Sequence, residues 1–502
     1  MPKHSRLFTY SFLFLTLSSS NSQLLNPQAP WSLSNYSRPP WLTLPVTNPT
    51  KSFWIDKPGV NPLAREGSTG TLGFGDEDVD VCVIGSGITG ISAVYHLQRL
   101  LDAQGIDKKV VVLEAREFCS GATGRNGGHL TRNFFHDFGS RESHYGTENA
   151  KKSYLIEEHV ATSIVNIIHS HGLVDAVDLV QGDHITLFFE DEEARLALRD
   201  YKDAQAHGLD LTGVEFLDRG AMMERYGVDY PGVFFPSHNL WPLKLVTLLY
   251  DSSLSRSSSK VKLHTLTPVT SVLPSTLEGH TFPQRESKWT VETPRGSLNC
   301  NNIIHATNAY ASYLLPQYQD QIIPTRGQMA ALRAKSSLDR LLHHSWGANW
   351  GYEYWFPRPE EISDSVETRN PPLVLLGGGR DTAGPMQEQY TMDDSVISEK
   401  VSKTLNRFLP ELWNGTDLFE EGREPEMEWT GIMGFTSNGE PIVGPIPELD
   451  GQYIAAGFTG HGMPRAFAAA EAVAGMIVAK LTNKEWKAPE WLPEHYLTSW
   501  NY

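Results

Sequence analysis

Asp80-Val81-Cys82-Val83-Ile84 is a short apolar run, and Gly85-Ser86-Gly87-Ile88-Thr89-Gly90 follows it directly. A helical stretch runs from Ile91 to about Leu101, and Lys109-Val110-Val111-Val112-Leu113-Glu114 is a second apolar run that ends in an acid. Strand, Gly-x-Gly-x-x-Gly, helix, strand and acid, in that order, predict a dinucleotide-binding βαβ unit. Each part has a chemical reason. Gly85 permits the tight turn, Gly87 lets a pyrophosphate approach the backbone, and Gly90 lets helix and strand pack closely. The helix start at Ile88-Thr89 offers free N–H groups and a positive dipole end to the phosphates. Glu114, 24 residues past Gly90, stands where an acid accepts hydrogen bonds from ribose hydroxyls. The motif alone does not separate FAD from NAD.

The next segment separates them. Ala115-Arg116 leads into Ser120-Gly121-Ala122-Thr123-Gly124-Arg125-Asn126-Gly127-Gly128-His129, a loop able to turn many backbone N–H groups toward phosphate and flavin. From here the sequence resembles the D-amino-acid-oxidase-like superfamily of FAD-dependent oxidoreductases, the group with glycine, sarcosine and γ-glutamylputrescine oxidases. The resemblance continues through Thr267-Pro268-Val269-Thr270, Ile303 to Tyr310 with Thr307-Asn308, Pro324 to Met329, and Trp429 to Gly434. It ends in Gly457-Phe458-Thr459-Gly460-His461-Gly462-Met463, and covers roughly residues 78–482. It implies non-covalent FAD, because no cysteine follows Cys300 to carry a covalent link. It also implies that the backbone at Val269 meets the adenine. The small-residue helix from Arg465, with Pro464 in its first turn, would aim its N-terminus at the flavin pyrimidine edge.

The resemblance implies an α/β, or α+β composite, fold. A Rossmann-type FAD-binding domain is expected over 78–145, 236–310 and 428–482. An interleaved antiparallel-sheet substrate domain is expected over 146–235 and 311–427. Leu179 to Phe189 and Leu373 to Leu376 read as apolar strands, and Glu192 to Tyr201 as a charged surface helix. Residues 23–77 read as an extended arm over the surface and 483–502 as an irregular strap. Residues 1–22 carry Lys3, His4 and Arg6 before the apolar Leu7 to Leu17, the layout of a secretory signal peptide. Secretion is therefore expected, with Asn35 and Asn414 as glycosylation acceptors; a cytoplasmic protein with an untargeted extension is the alternative.

Flavin amine oxidation asks the protein mainly to position a neutral amine with its Cα–H toward the cofactor. Tyr352, Tyr354 and Trp355 could form an aromatic wall for a cation, or pack into the core as an alternating strand. Arg380 closes a Gly377-Gly378-Gly379 turn and is a candidate for an anionic substrate group or for a structural salt bridge. His129 and His461 lie in loops expected on the flavin side; both are candidates for catalysis or for a supporting role. Two departures from the family pattern bear on substrate and acceptor. Met433 stands where glycine-oxidase-like members place a carboxylate-clamping Arg, which points away from a plain amino acid. Leu375 and Leu376 stand on the strand where sarcosine-oxidase-like members carry a Lys used with oxygen.

Composition excludes other classes. With 42 Lys+Arg against 59 Asp+Glu the net charge is −17, and no basic stripe offsets it, so nucleic acid is not an expected partner. No apolar run reaches the roughly 18–20 residues of a membrane helix. No Cys-x-x-Cys or clustered His suggests a metal. Three cysteines make no disulfide framework, and Cys82 and Cys119 read as small packing residues. The expected function is an FAD-dependent oxidation of an amine C–N bond, a secondary or substituted amine rather than a plain amino acid. O2 or another acceptor would take the electrons. The rivals are a flavin-binding protein without turnover and an NAD(P)-dependent dehydrogenase.

Overall fold

The computed structural model describes residues 39–75, 77–255, 260–275, 288–339, 341–359 and 371–500. The signal-like segment 1–22, the start of the arm and Asn35 lie outside the described residues. The chain enters with β1 (Val79–Ile84), α1 (Ile88–Asp102), β2 (Lys109–Leu113) and β3 (His129–Leu130). It continues through α2 (Phe138–Tyr145), α3 (Thr147–Ser170), β4 (Val180–Leu187), α4 (Asp191–Ala206), β5 (Glu215–Leu217), α5 (Arg219–Tyr226) and β6 (Gly232–Asn239). Next come α6 (Pro242–Leu254), β7 (Lys260–His264), β8 (Ser271–Pro274), β9 (Trp289–Thr293), β10 (Gly296–His305) and α7 (Ala311–Leu314). The last part holds β11 (Ile323–Arg333), β12 (His344–Ala348), β13 (Glu353–Pro357), β14 (Leu373–Gly377), α8 (Glu399–Leu412), β15 (Met427–Phe435), β16 (Ile442–Pro445), β17 (Gln452–Ala456) and α9 (Ala466–Leu481).

Two sheets organise these elements. The first runs β16-β17-β10-β1-β2-β7, and β17, β10, β1, β2 and β7 pair in parallel. Helices α1, α6 and α9 pack together on it. A strand covered on both faces has no polar side, which is why β1 and β2 read as unbroken apolar runs. The second sheet runs β15-β11-β14-β13-β12-β4-β6-β3 and is antiparallel except for the β12–β4 pair. Its alternating residues split between two cores. Met329, Leu375 and Trp429 face the nucleotide-binding half, whereas Ala330, Leu376, Trp346 and Trp355 face α8. Side chains alternate across a strand, so one register divides the substrate half into a cofactor-facing face and a core face.

Several expectations need correction. β6 and β15 belong wholly to the second sheet, β15 pairing β11 from Ile323↔Phe435 to Ala331↔Met427. By strand pairing, the strands of the first sheet resume only after Asn239 and after Phe435. The arm does not stay on the surface. Ser52 and Trp54 are fully buried; the Ser52 hydroxyl donates to the Gly124 carbonyl at 2.6 Å, and Trp241 donates to the Trp54 carbonyl at 2.8 Å. An indole offers more apolar area than any other side chain, which favours burial over a solvated arm. Pro464 lies before α9 rather than in its first turn, because Arg465 caps the helix. Beyond α9, Trp491 stacks on His159 at 4.4 Å, and the Thr498 N–H reaches the Val443 carbonyl at 2.9 Å.

Cys82 is not a simple packing residue. It forms a disulfide with Cys300 across the β1–β10 pair, at a sequence separation of 218. Only Cys119 is a free cysteine, and it is buried. A non-reducing peptide map should join the two peptides that contain Cys82 and Cys300. Replacing both by Ala should cost about 2–4 kcal/mol in urea unfolding, since so long a loop would be released in the unfolded chain.

Candidate functional site

The glycines of the first turn are set by close contacts. Gly85 has φ +109°, and a Cβ there would lie 2.7 Å from the Ala306 carbonyl oxygen. At Gly90 a Cβ would meet the Gly85 carbonyl oxygen at 1.9 Å, so α1 can start against β1 only without a side chain there. The Gly85–Gly90 turn faces the loop after β2. The Ile88 N–H donates to the Thr123 hydroxyl at 3.1 Å, and a Cβ on Gly87 would meet the same oxygen at 3.0 Å. Among the described residues, the N–H groups of Gly87, Gly121, Ala122 and Thr123 have no protein acceptor. The buried hydroxyls of Ser120 and Thr307 also lack a partner. Orphaned donors around a helix N-terminus fit a pyrophosphate. Glu114 stands at the end of β2, its carboxylate accepting from Ser86 N–H, the Ser86 hydroxyl and Arg116 N–H at 2.8–2.9 Å.

Other expected contact residues serve the frame instead. Arg116 donates to both Asp394 oxygens at 2.9 and 3.0 Å and to the Ser120 carbonyl. Arg125 donates to the Ser120 and Thr430 carbonyls at 2.9 Å, and burial lowers its pKa to about 10. Both guanidinium groups are spent on protein, and so are the Arg116 N–H, on Glu114, and the Arg116 and Arg125 carbonyls, which accept from Leu266 N–H and the Trp429 indole. The Asn126 carbonyl accepts from the Trp54 indole and its side chain from Gly128 N–H. The Asn308 side chain accepts from Gly457 N–H at 2.9 Å and so holds the loop before α9. Val269 is buried against Val111 and Leu113, while Ala115 and Gly127 complete the loop.

The Gly460-His461-Gly462-Met463 loop rests on a carboxylate that sequence reasoning missed. Glu157 of α3 is fully buried and accepts from His461 Nε2 at 3.0 Å and Arg465 Nε at 2.8 Å. Burial alone would push its pKa up; His461 and Arg465 outweigh that and hold it at about 2. Arg465 also faces Glu440, which pairs with Arg141. The signal for Glu157 was an acid on the apolar stripe Ser153, Ile156, Val160, Ile164 of α3.

The cofactor-facing face of the second sheet carries Met433, Phe435, Gly327 and Tyr354. The Met433 sulfur and the Phe435 ring tip each lie 3.6 Å from where a Gly460 Cβ would be. Tyr354 lies edge-on to His129 at 5.6 Å, and its hydroxyl points to the Met329 sulfur. His129 lies 3.3 Å from the Trp355 carbonyl oxygen, and burial drops its pKa to about 4, so the ring is neutral at pH 7. Tyr352 donates to Gln387 at 3.1 Å. Trp355 is on the other face, stacked on Trp346 at 5.6 Å and 7°, and is a core residue rather than part of a substrate wall.

The sequence matches the DAO family, described as FAD dependent oxidoreductase, over residues 80–476. The chain belongs to this family. Its cofactor is FAD, and it is an oxidoreductase. It is 24% identical over 416 residues to gamma-glutamylputrescine oxidoreductase of Escherichia coli (strain K12), covering 80% of this chain and 83% of that protein. Among solved structures, glycine oxidase from Geobacillus kaustophilus has a TM-score of 0.59 at 18% identity, covering 85% of this chain and 99% of the other. Iminodiacetate oxidase from Chelativorans sp. BNC1 has a TM-score of 0.57 at 16% identity, covering 83% and 98%. These likenesses show the fold. The orphaned donors around Gly87 and Thr123 lie within the matched residues 80–476.

Glu353 of β13 holds the turn beside this face. It is 2% exposed and accepts from Asn349 at 2.8 Å and Gly379 N–H at 3.2 Å. Burial raises its pKa from 4.5 to about 7. A raised carboxyl pKa means the folded state holds the proton more tightly. Its contribution is complete below pH 4.5 and is lost as pH rises to 7, at most about 3 kcal/mol. Urea melts from pH 4.5 to 8 should show this decline, and Glu353→Gln should flatten it. For Glu157→Ala, which strands His461 and Arg465, the same melts should show a loss of about 3–5 kcal/mol.

Proposed function

We propose that the protein oxidises the C–N bond of a secondary or otherwise substituted amine, with O2 or another acceptor taking the electrons. The observation that carries this reading is the surface opposite the Gly460 loop, which is Met433 and Phe435, on the same sheet face as Tyr354, rather than a carboxylate clamp. Bound FAD supplies the acceptor for a hydride from the amine Cα. The protein holds the amine in an apolar, aromatic site, and desolvation there favours the neutral amine that reaction requires. His129, neutral and edge-on to Tyr354, supports the wall of that site without adding a charge. The imine product hydrolyses in water. The names of gamma-glutamylputrescine oxidoreductase, glycine oxidase and iminodiacetate oxidase support a substrate with an amine nitrogen. The Cys82–Cys300 disulfide and an exposed Asn414 support passage through an oxidising, secretory compartment.

A free α-carboxylate beside Met433 would lose its hydration to a thioether that donates no hydrogen bond, a cost of several kcal/mol. Glycine and D-alanine should therefore reduce the bound flavin at least a hundredfold less efficiently than the best amine without an α-carboxylate. Anaerobic stopped-flow reduction over both sets of compounds measures this. A better rate with glycine or D-alanine would refute the substrate reading, and an unbleached flavin across the whole panel would favour a flavoprotein without turnover.

A further inference from the structure

Arg380 is out of keeping with the other arginines. Every other described arginine that is not exposed has an acceptor in the protein. Arg116 has Asp394, Arg141 has Glu440, Arg326 has Glu388, Arg358 has Asp178 and Arg465 has Glu157. Arg125, Arg132, Arg295 and Arg333 reach a carboxylate, a carbonyl or both. Arg380 is half-buried, yet among the described residues its guanidinium has neither an ion pair nor a hydrogen bond. Its guanidinium lies 4.9 Å from the centre of the Phe435 ring and 5.9 Å from that of Tyr352. Ring faces attract a cation but satisfy none of the five N–H donors.

The position of Arg380 is held firmly. Gly378 has φ +135°, and a Cβ there would lie 2.2 Å from the Tyr352 carbonyl oxygen. The Gly379 N–H donates to Glu353. The turn after β14 is thus pinned to the start of β13, and Arg380 leaves it over Phe435. Phe435 stands two residues from Met433 on β15, and both touch the space in front of Gly460. Among the described residues this partly desolvated cation, over Phe435, has no ion-pair partner.

We propose that Arg380 is the anion-binding residue of the substrate site, and that the substrate is an amine with a carboxylate on an arm remote from the oxidised C–N bond. This rests on the amine-oxidation reading above. Two residues of strand separate Phe435 from Met433 by roughly 7 Å. Arg380 stands over Phe435, so the anion it would hold is set apart from the α-carboxylate position beside Met433. A carboxylate is preferred over a phosphate because one guanidinium matches one negative charge and takes it bidentately. Asp381, next in the chain, would oppose a dianion.

Two measurements on the FAD-loaded enzyme test this. Calorimetry should show benzoate binding at least tenfold tighter than uncharged benzamide, with the preference lost in Arg380→Met and partly kept in Arg380→Lys. Flavin content of each variant checks that the fold is retained, and Arg380→Lys carries the test if Arg380→Met does not fold. Anaerobic reduction by 4-(methylamino)butyrate should be at least tenfold more efficient than by N-methylbutylamine, again only with Arg380. Equal benzoate binding by wild type and Arg380→Met, or no difference between benzoate and benzamide, overturns the proposal. An enzyme reduced equally well by both amines, with or without Arg380, keeps the amine reading and overturns the anion site. Benzoate binding that depends on Arg380, with neither amine reducing the flavin, keeps the anion site and overturns the amine reading.

Discussion

One buried carboxylate holds the cofactor loop to the rest of the molecule. Asp394 is 1% exposed. It meets Arg116 at 2.9 Å and Arg125 at 3.6 Å, and its carbonyl accepts from the Thr50 and Thr430 hydroxyls. Four distant segments converge here: the arm, the loop after β2, the segment before α8, and β15. Two cations against one anion are tolerable only because the guanidinium groups also reach the Ser120 and Thr430 carbonyls. Without Asp394 those cations would be stranded, and the backbone N–H groups of Gly121 to Thr123 would lose their placement. The placement of these orphaned donors therefore depends on a side chain more than 250 residues away.

The same logic governs the second face of the site. Glu157 ties α3 to the start of α9 through His461 and Arg465, and the Arg465–Glu440–Arg141 chain extends the tie to α2. The interior is therefore strict about charge: cations that frame the cofactor have their anions built in. That strictness gives Arg380 its meaning. Its ring neighbours are aromatic faces, and the pinned turn beneath it holds it there with no ion pair among the described residues.

The nucleotide-binding unit was legible because its signals are local. The turn at Gly85, the close approach at Gly90 and the two doubly covered strands each act within a few residues, so they leave a pattern of glycines and apolar runs. β4 and β14 were also legible as apolar runs, and α4 as a charged helix whose capping box at Glu190 and Glu193 marks its start. The side of each residue in the second sheet was not. Tyr354 and Trp355 are neighbours in sequence, yet only Tyr354 faces the cofactor side. Choosing between them required the register of β13 against β14, which no local signal reports.

By itself, the sequence determined that the chain binds a dinucleotide through a βαβ unit and that its family is one of FAD-dependent oxidoreductases. Those conclusions rest on short-range sterics and on motifs whose spacing survives without knowledge of the fold. Only the tertiary structure decided which charges are spent and which are available. It paired Arg116 and Arg125 with Asp394, gave His461 and Arg465 to Glu157, closed Cys82 onto Cys300, and left Arg380 on Phe435. Each partner lies far away in the chain. A charge's partner is set by distance in space, and the sequence records only distance along the backbone.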